Sequence, residues 1–120
     1  MNTDKVTEKI IGCAMKVSNT LGVGFLEKVY ENALVIELRN AELEAEQQKE
    51  LKVTYQGLAV GEYTADIVVN RTVILELKAA RVIDQIHEAQ LLNYLKATGL
   101  RRGLILNFGT TKLGIKRMVL

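Results

Sequence analysis

Apolar side chains return every three or four positions from about Asp4 to Leu21, at Val6, Ile10, Cys13, Ala14, Val17 and Leu21. That period predicts an amphipathic helix with one buried face, ended by Gly22 as a left-handed cap and by Gly24. Leu26, Val29, Tyr30, Ala33, Leu34 and Leu38 carry a second helix from about Leu26 to Asn40. After a polar, acidic connection from Ala41 to Gln48, Leu51 to Tyr55 alternates with period two and predicts a strand. Gln56-Gly57 then turns the chain into a second strand, Leu58 to Val69, with room for a bend at Gly61. The β-branched arm Thr72 to Ala79 follows, then a loop, Ala80 to Ile83. Asp84 is placed to cap a helix running to about Thr98 and closed by Gly99. The continuous apolar run Gly103 to Phe108 predicts a strand buried on both faces, parallel to its neighbour across the helix. The tail, Leu113 to Leu120, adds an edge strand bearing Lys116 and Arg117. Helix, helix, three strands, helix, strand, strand is the order of an α/β or α+β sandwich.

At 120 residues, one domain is expected, 1–120, large enough for one core. No apolar run approaches the roughly 20 residues needed to span a bilayer. The opening MNTDKVTEKI lacks the pattern of a secretory signal, so a cytoplasmic location is expected. One cysteine, Cys13, excludes an intramolecular disulfide, and with His87 as the lone histidine it excludes a Cys/His zinc cluster. Cys13 reads as a small buried helix residue. The net charge of +2 divides unevenly: residues 1–50 carry six basic against nine acidic side chains, and residues 51–120 ten against five. The basic half suits a polyanionic partner.

That half also holds the candidate chemistry, in Tyr63 to Lys78. Asn70-Arg71 supplies a turn between two strand arms, and Ile74, Glu76 and Lys78 share a face of the second. A two-residue turn would pair residue 66 with 75 and separate Asp66 from Glu76; a three-residue or bulged turn pairs 66 with 76. In the second case two carboxylates oppose each other, which is destabilising unless a cation lies between them. Mg²⁺ suits such a pair, and Lys78 beside it would orient a water or offset phosphoryl charge, as metal-assisted phosphodiester hydrolysis requires. Glu-x-Lys also occurs on ordinary salt-bridged strand faces; here the arm is too apolar to be wholly exposed. On the next helix His87, Gln90, Leu91 and Tyr94 share a face, with Gln90 placed to bind substrate. Glu27, Tyr30, Glu31 and Leu34 share a side of the second helix, and Glu27 lies in its first turn, where the helix dipole favours an anion.

Gly24-Phe-Leu-Glu27-Lys-Val-Tyr30 resembles the motif of the GxxExxY protein family. Asp66, Glu76-Leu77-Lys78 and Gln90-Leu-Leu-Asn-Tyr94 resemble the signature of the PD-(D/E)xK nuclease-like superfamily, to which that family is assigned. The likeness runs from the first helix to Asn107-Phe108-Gly109, with Ala65 standing where the superfamily's proline falls. It implies a restriction-endonuclease-like αβββαβ core, a central mixed β-sheet flanked by helices. It further implies Asp66, Glu76, the Leu77 carbonyl and Glu27 as ligands of Mg²⁺ or Mn²⁺, Lys78 as the catalytic lysine with Gln90 assisting, and a pocket lined by Tyr30, His87 and Tyr94. DNA is the expected substrate, with backbone contacts from Arg81, Lys96, Arg101, Arg102, Lys112, Lys116 and Arg117, and a homodimer is a fair expectation for so small a domain. The alternative function is a non-catalytic module on the same fold, binding nucleic acid or a protein.

Overall fold

The computed structural model describes residues 2–120. Helix α1 (Thr3–Leu21) buries Val6, Ile10, Ala14 and Val17, the stripe its sequence period demands, and Asn2 caps its first turn through the Lys5 amide at 2.9 Å. Helix α2 (Glu27–Asn40) buries Tyr30, Leu34, Val35 and Leu38 against it. Strands β1 (Ala45–Tyr55), β2 (Leu58–Val69) and β3 (Val73–Lys78) lead into helix α3 (Gln85–Thr98), and β4 (Arg102–Asn107) and β5 (Gly114–Val119) complete one sheet in the order β1-β2-β3-β4-β5. Only β3 and β4 run parallel; the other neighbours are antiparallel.

Two apolar clusters cover the two faces of this sheet. Val69, Val73, Leu75, Leu77, Leu104 and Leu106 meet α1 and α2. Ala65, Val68, Ile74 and Ile105 meet Leu91 and Leu95 of α3 on the other face. The alternation within β3 and β4 thus feeds both clusters, and this is why their sequences read as continuous apolar runs. Asp84 accepts from the Ile86 amide at 3.0 Å and Gly99 closes α3 at φ 79°, both as the sequence suggests. The result is a mixed sheet between helices, with the αβββαβ order expected of a restriction-endonuclease-like core.

The connection expected over Ala41 to Gln48 is half strand. Ala45, Glu46 and Gln47 pair with Val69, Val68 and Ile67, so partnership with the most apolar part of β2 overrides their weak strand preference. The β2–β3 turn has three residues, Asn70, Arg71 and Thr72, because Val69 pairs with Val73. Asn70 and Arg71 both take positive φ, and Asn70 ties the turn to Glu44 through two 2.8 Å hydrogen bonds.

Candidate active site

The β2–β3 ladder runs from Val69–Val73 to Ile67–Leu75 and stops there, while β3 stays paired with β4 as far as Lys78–Asn107. The three-residue turn sets residue 66 against residue 76, and here the two strands fork. One freed amide is taken up by a side chain rather than by backbone: Asp66 Oδ2 accepts from the Leu77 N–H at 2.8 Å, while Glu76 is bonded by the Tyr63 hydroxyl. Asp66 therefore replaces a ladder bond on the strand opposite, which fixes it at the fork.

Asp66 opens towards α2, into a cleft of about 610 Å³ that it shares with Phe25, Glu27, Lys28, Glu31, Gln48 and Ala79. Glu76 and Lys78 open towards α3, into a cavity of about 50 Å³ with Tyr63, His87, Gln90, Leu91, Tyr94 and Ile105. That volume holds a few waters. Tyr63 donates its hydroxyl to Glu76 Oε1 and stacks on Tyr94 with an interplanar angle of 5°. His87 Nδ1 is buried and has no hydrogen-bond partner in the protein.

Burial pushes the Glu76 carboxyl up to about 7; Lys78 and the Asp66 amide pull it down, and Glu27 and Glu31 push it further up. Asp66 is also raised, chiefly by burial and then by Glu31 and Glu27, against the Leu77 amide and Lys78, which lower it. Glu27 and Glu31 raise both acids, but neither acid raises the other. The three-residue turn sets residue 66 against 76, yet the strands fork and turn the two carboxylates into different clefts, so the directly opposed pair expected from the sequence does not form. Two carboxylates suffice for Mg²⁺, which keeps waters in the rest of its shell. Among the described residues no group of three or more His, Cys, Asp or Glu side chains is gathered closely enough to hold a metal ion.

Glu27 lies exposed in the first turn of α2, on the rim of the Asp66 cleft. Tyr30 is not on the pocket wall. It is fully buried, donates to the Gly22 carbonyl at 2.6 Å, accepts from the Phe25 amide and stacks on Phe108 at 4.8 Å. Its i+3 spacing from Glu27 puts it deeper on the same side of α2, where it anchors the α1–α2 connection.

The basic residues divide. Arg81 and Lys112 lie in the loops that follow β3 and β4, at the carboxyl ends where the fork lies. Lys116 and Arg117 are exposed on β5, opposite Ile105 and Leu104. Arg101 and Arg102 are not beside the acids, because β4 starts at Arg102 opposite Val73, the other end of parallel β3. Arg102 pairs with Asp4 at 2.6 Å, Arg101 donates to the Leu120 carbonyl, and Lys96 is in the last turn of α3, which leads to that same end.

Four further side chains contribute, Glu31, Gln47, Gln48 and Tyr63, to which the sequence assigned no role at the site. Glu31, 4% exposed, accepts from Lys28 at 2.9 Å and from the Gln47 and Gln48 amides. Tyr63 was legible only as a strand residue. Its contact with Glu76, like that of Gln48 with Glu31, depends on long-range register, and the one local signal was Glu31 four residues after Glu27.

The model of the PD-(D/E)XK nuclease superfamily matches residues 4–118, and the chain belongs to that superfamily. Members generally use divalent metal ions. The solved structures include a similar one, described as the crystal structure of SSO0001, with a TM-score of 0.56 and 17% identity over 78% of this chain. The match spans 50% of that protein, and it shows a shared fold. No curated protein matches the chain. Among the described residues no helix is long and apolar enough to cross a membrane.

Proposed function

We propose that the chain is a Mg²⁺- or Mn²⁺-dependent nuclease that hydrolyses phosphodiester bonds of DNA. The observation that carries this reading is the β2–β3 fork, in which Asp66 takes the Leu77 amide, Glu76 is half-buried on the strand opposite, and Lys78 lies one step along the same strand face as Glu76. Asp66, Glu76 and the Leu77 carbonyl would hold the ion, with Glu27 approaching from α2. A divalent ion held there supplies Lewis acidity at the phosphate. Lys78 contributes an ammonium that positions the attacking water and offsets charge developing on the phosphoryl oxygens. Gln90 and His87, projecting from α3 into the same cavity, orient the substrate's polar atoms. Arg81, Lys112, Lys116 and Arg117 make backbone contacts, which position nucleic acid without reading its sequence.

Calorimetric titration of Mg²⁺ and Mn²⁺ into the wild type and into Glu76→Gln tests the assignment. The reading expects binding in the wild type and its collapse in the variant; equal binding by both would remove Glu76 from the ion's shell. One observation favours the other reading, a module that binds without turnover: Asp66 and Glu76 open into different clefts, and Tyr63 occupies the Glu76 carboxylate. Salt-dependent DNA binding with no hydrolysis under either metal would establish it.

A further inference from the structure

The outer edge of β1 is unpaired in the sheet order β1-β2-β3-β4-β5. Its amino-terminal part is closed off by α2: Arg39 donates to the Ala45 carbonyl at 3.0 Å, and Gln47 and Gln48 reach Glu31 and Asn32. Gln48 then takes φ 52°, and a register irregularity falls between Val53 and Thr54. Between these two breaks lies a regular edge of five residues, Lys49 to Val53, centred on Leu51. Leu51 and Val53 pack towards α3, so Glu50 and Lys52, both exposed, project from the other face.

We infer that this edge is the contact between two copies of the chain, joined antiparallel about a two-fold axis through Leu51 into one continuous sheet. A two-fold axis perpendicular to the sheet keeps each residue on its own face, so only registers that move the strand in two-residue steps are available. Centred on Leu51, Glu50 of each copy faces Lys52 of the other, giving two opposite-charge cross-strand pairs. One step either way sets Glu50 against Glu50 or Lys52 against Lys52, so the same two side chains that favour this register exclude its neighbours. The other free edge, β5, carries Lys116 and Arg117 and no acidic residue that could pair with them across a two-fold axis. The β1–β2 hairpin also leaves Tyr55, Leu58 and Val60 at its tip 63–71% exposed.

The edge is short, so the dimer is a weak one, with dissociation in the micromolar range or above. The test is sedimentation equilibrium of the whole chain from about 1 μM to about 1 mM. Lys52 also faces Glu62 within its own chain, so Glu50→Lys is the cleaner reversal. The inference expects Glu50→Lys to raise the dissociation constant at least about tenfold, and the swapped pair Glu50→Lys with Lys52→Glu to restore it to within about threefold. Thermal unfolding of each variant reports any cost within the chain separately. A wild type that stays monomeric throughout, or a dimer indifferent to Glu50→Lys, overturns the inference. Neither result touches the nuclease reading, which is measured on Asp66 and Glu76.

Discussion

Glu76 holds its proton up to about pH 7 in the folded chain, against 4.5 for an ordinary glutamate. Between these values the folded state binds more protons than the unfolded one, so stability is fully present below about pH 4.5 and falls as pH rises through 7. Asp66 adds a shift of the same sign. Glu76→Gln removes the larger shift, and urea unfolding is expected to find the variant more stable than the wild type at pH 8, by up to about 3 kcal/mol, with little difference at pH 4.5. A wild type whose stability is flat across that window would contradict the buried placement of Glu76. At this scale the sequence was a partial guide. Asp66, Glu76 and Lys78 stood out by chemistry and strand spacing, and the structure adds the Leu77 amide that holds Asp66 and the Tyr63 hydroxyl that holds Glu76. Tyr30 misled because helical spacing gives its side of α2 but not its depth.

The elements that frame the fork are fastened in two places. After β3 and β4, Asn107 Oδ1 accepts from the Ala80 and Gly109 amides and its Nδ2 donates to the Ala80 carbonyl at 2.8 Å. A Cβ on Gly109 would lie 2.3 Å from that same carbonyl oxygen. Gly109→Ala is therefore expected to cost about 2–4 kcal/mol in chemical denaturation, and Asn107→Ala about 1–3 kcal/mol by stranding buried groups. At the other end of the hairpin, Arg71 holds φ 57° with an exposed pair to Glu44 at 3.4 Å. Arg71→Gly should relieve the backbone and lose little charge energy, leaving thermal stability unchanged or raised by under about 1 kcal/mol. Helices α1 and α3, the two caps of α3 and the doubly buried β4 were legible because period and capping are local signals; Gly22 ends α1 at φ 70° but with ψ −168°, outside the left-handed conformation expected of it. The first half of β1 was not, since Glu46 and Gln47 become strand only through their partners on β2. The turn length, on which the whole site depends, was open between two and three residues until Val69 met Val73.

Across the molecule, the charge division seen in the sequence is resolved in space. The acidic half contributes Glu27 and Glu31 to the site, and the basic half sends Arg81 and Lys112 to the fork but Arg101 and Arg102 to the opposite end of the sheet. DNA binding measured against salt should show this: replacing Arg81 and Lys112 with alanine lowers the salt slope by about 2, and replacing Arg101 leaves it unchanged. Equal effects from both would mean that nucleic acid wraps the sheet rather than lying across the fork. We propose the fork of β2 and β3 as a metal-dependent phosphodiesterase site. Its most direct test is cleavage of end-labelled DNA in Mg²⁺ or Mn²⁺ by the wild type, Asp66→Ala and Lys78→Ala, each checked for folding. The account predicts metal-dependent cleavage by the wild type and a loss of about a hundredfold or more in both variants. Undiminished metal-dependent cleavage by Asp66→Ala would contradict it.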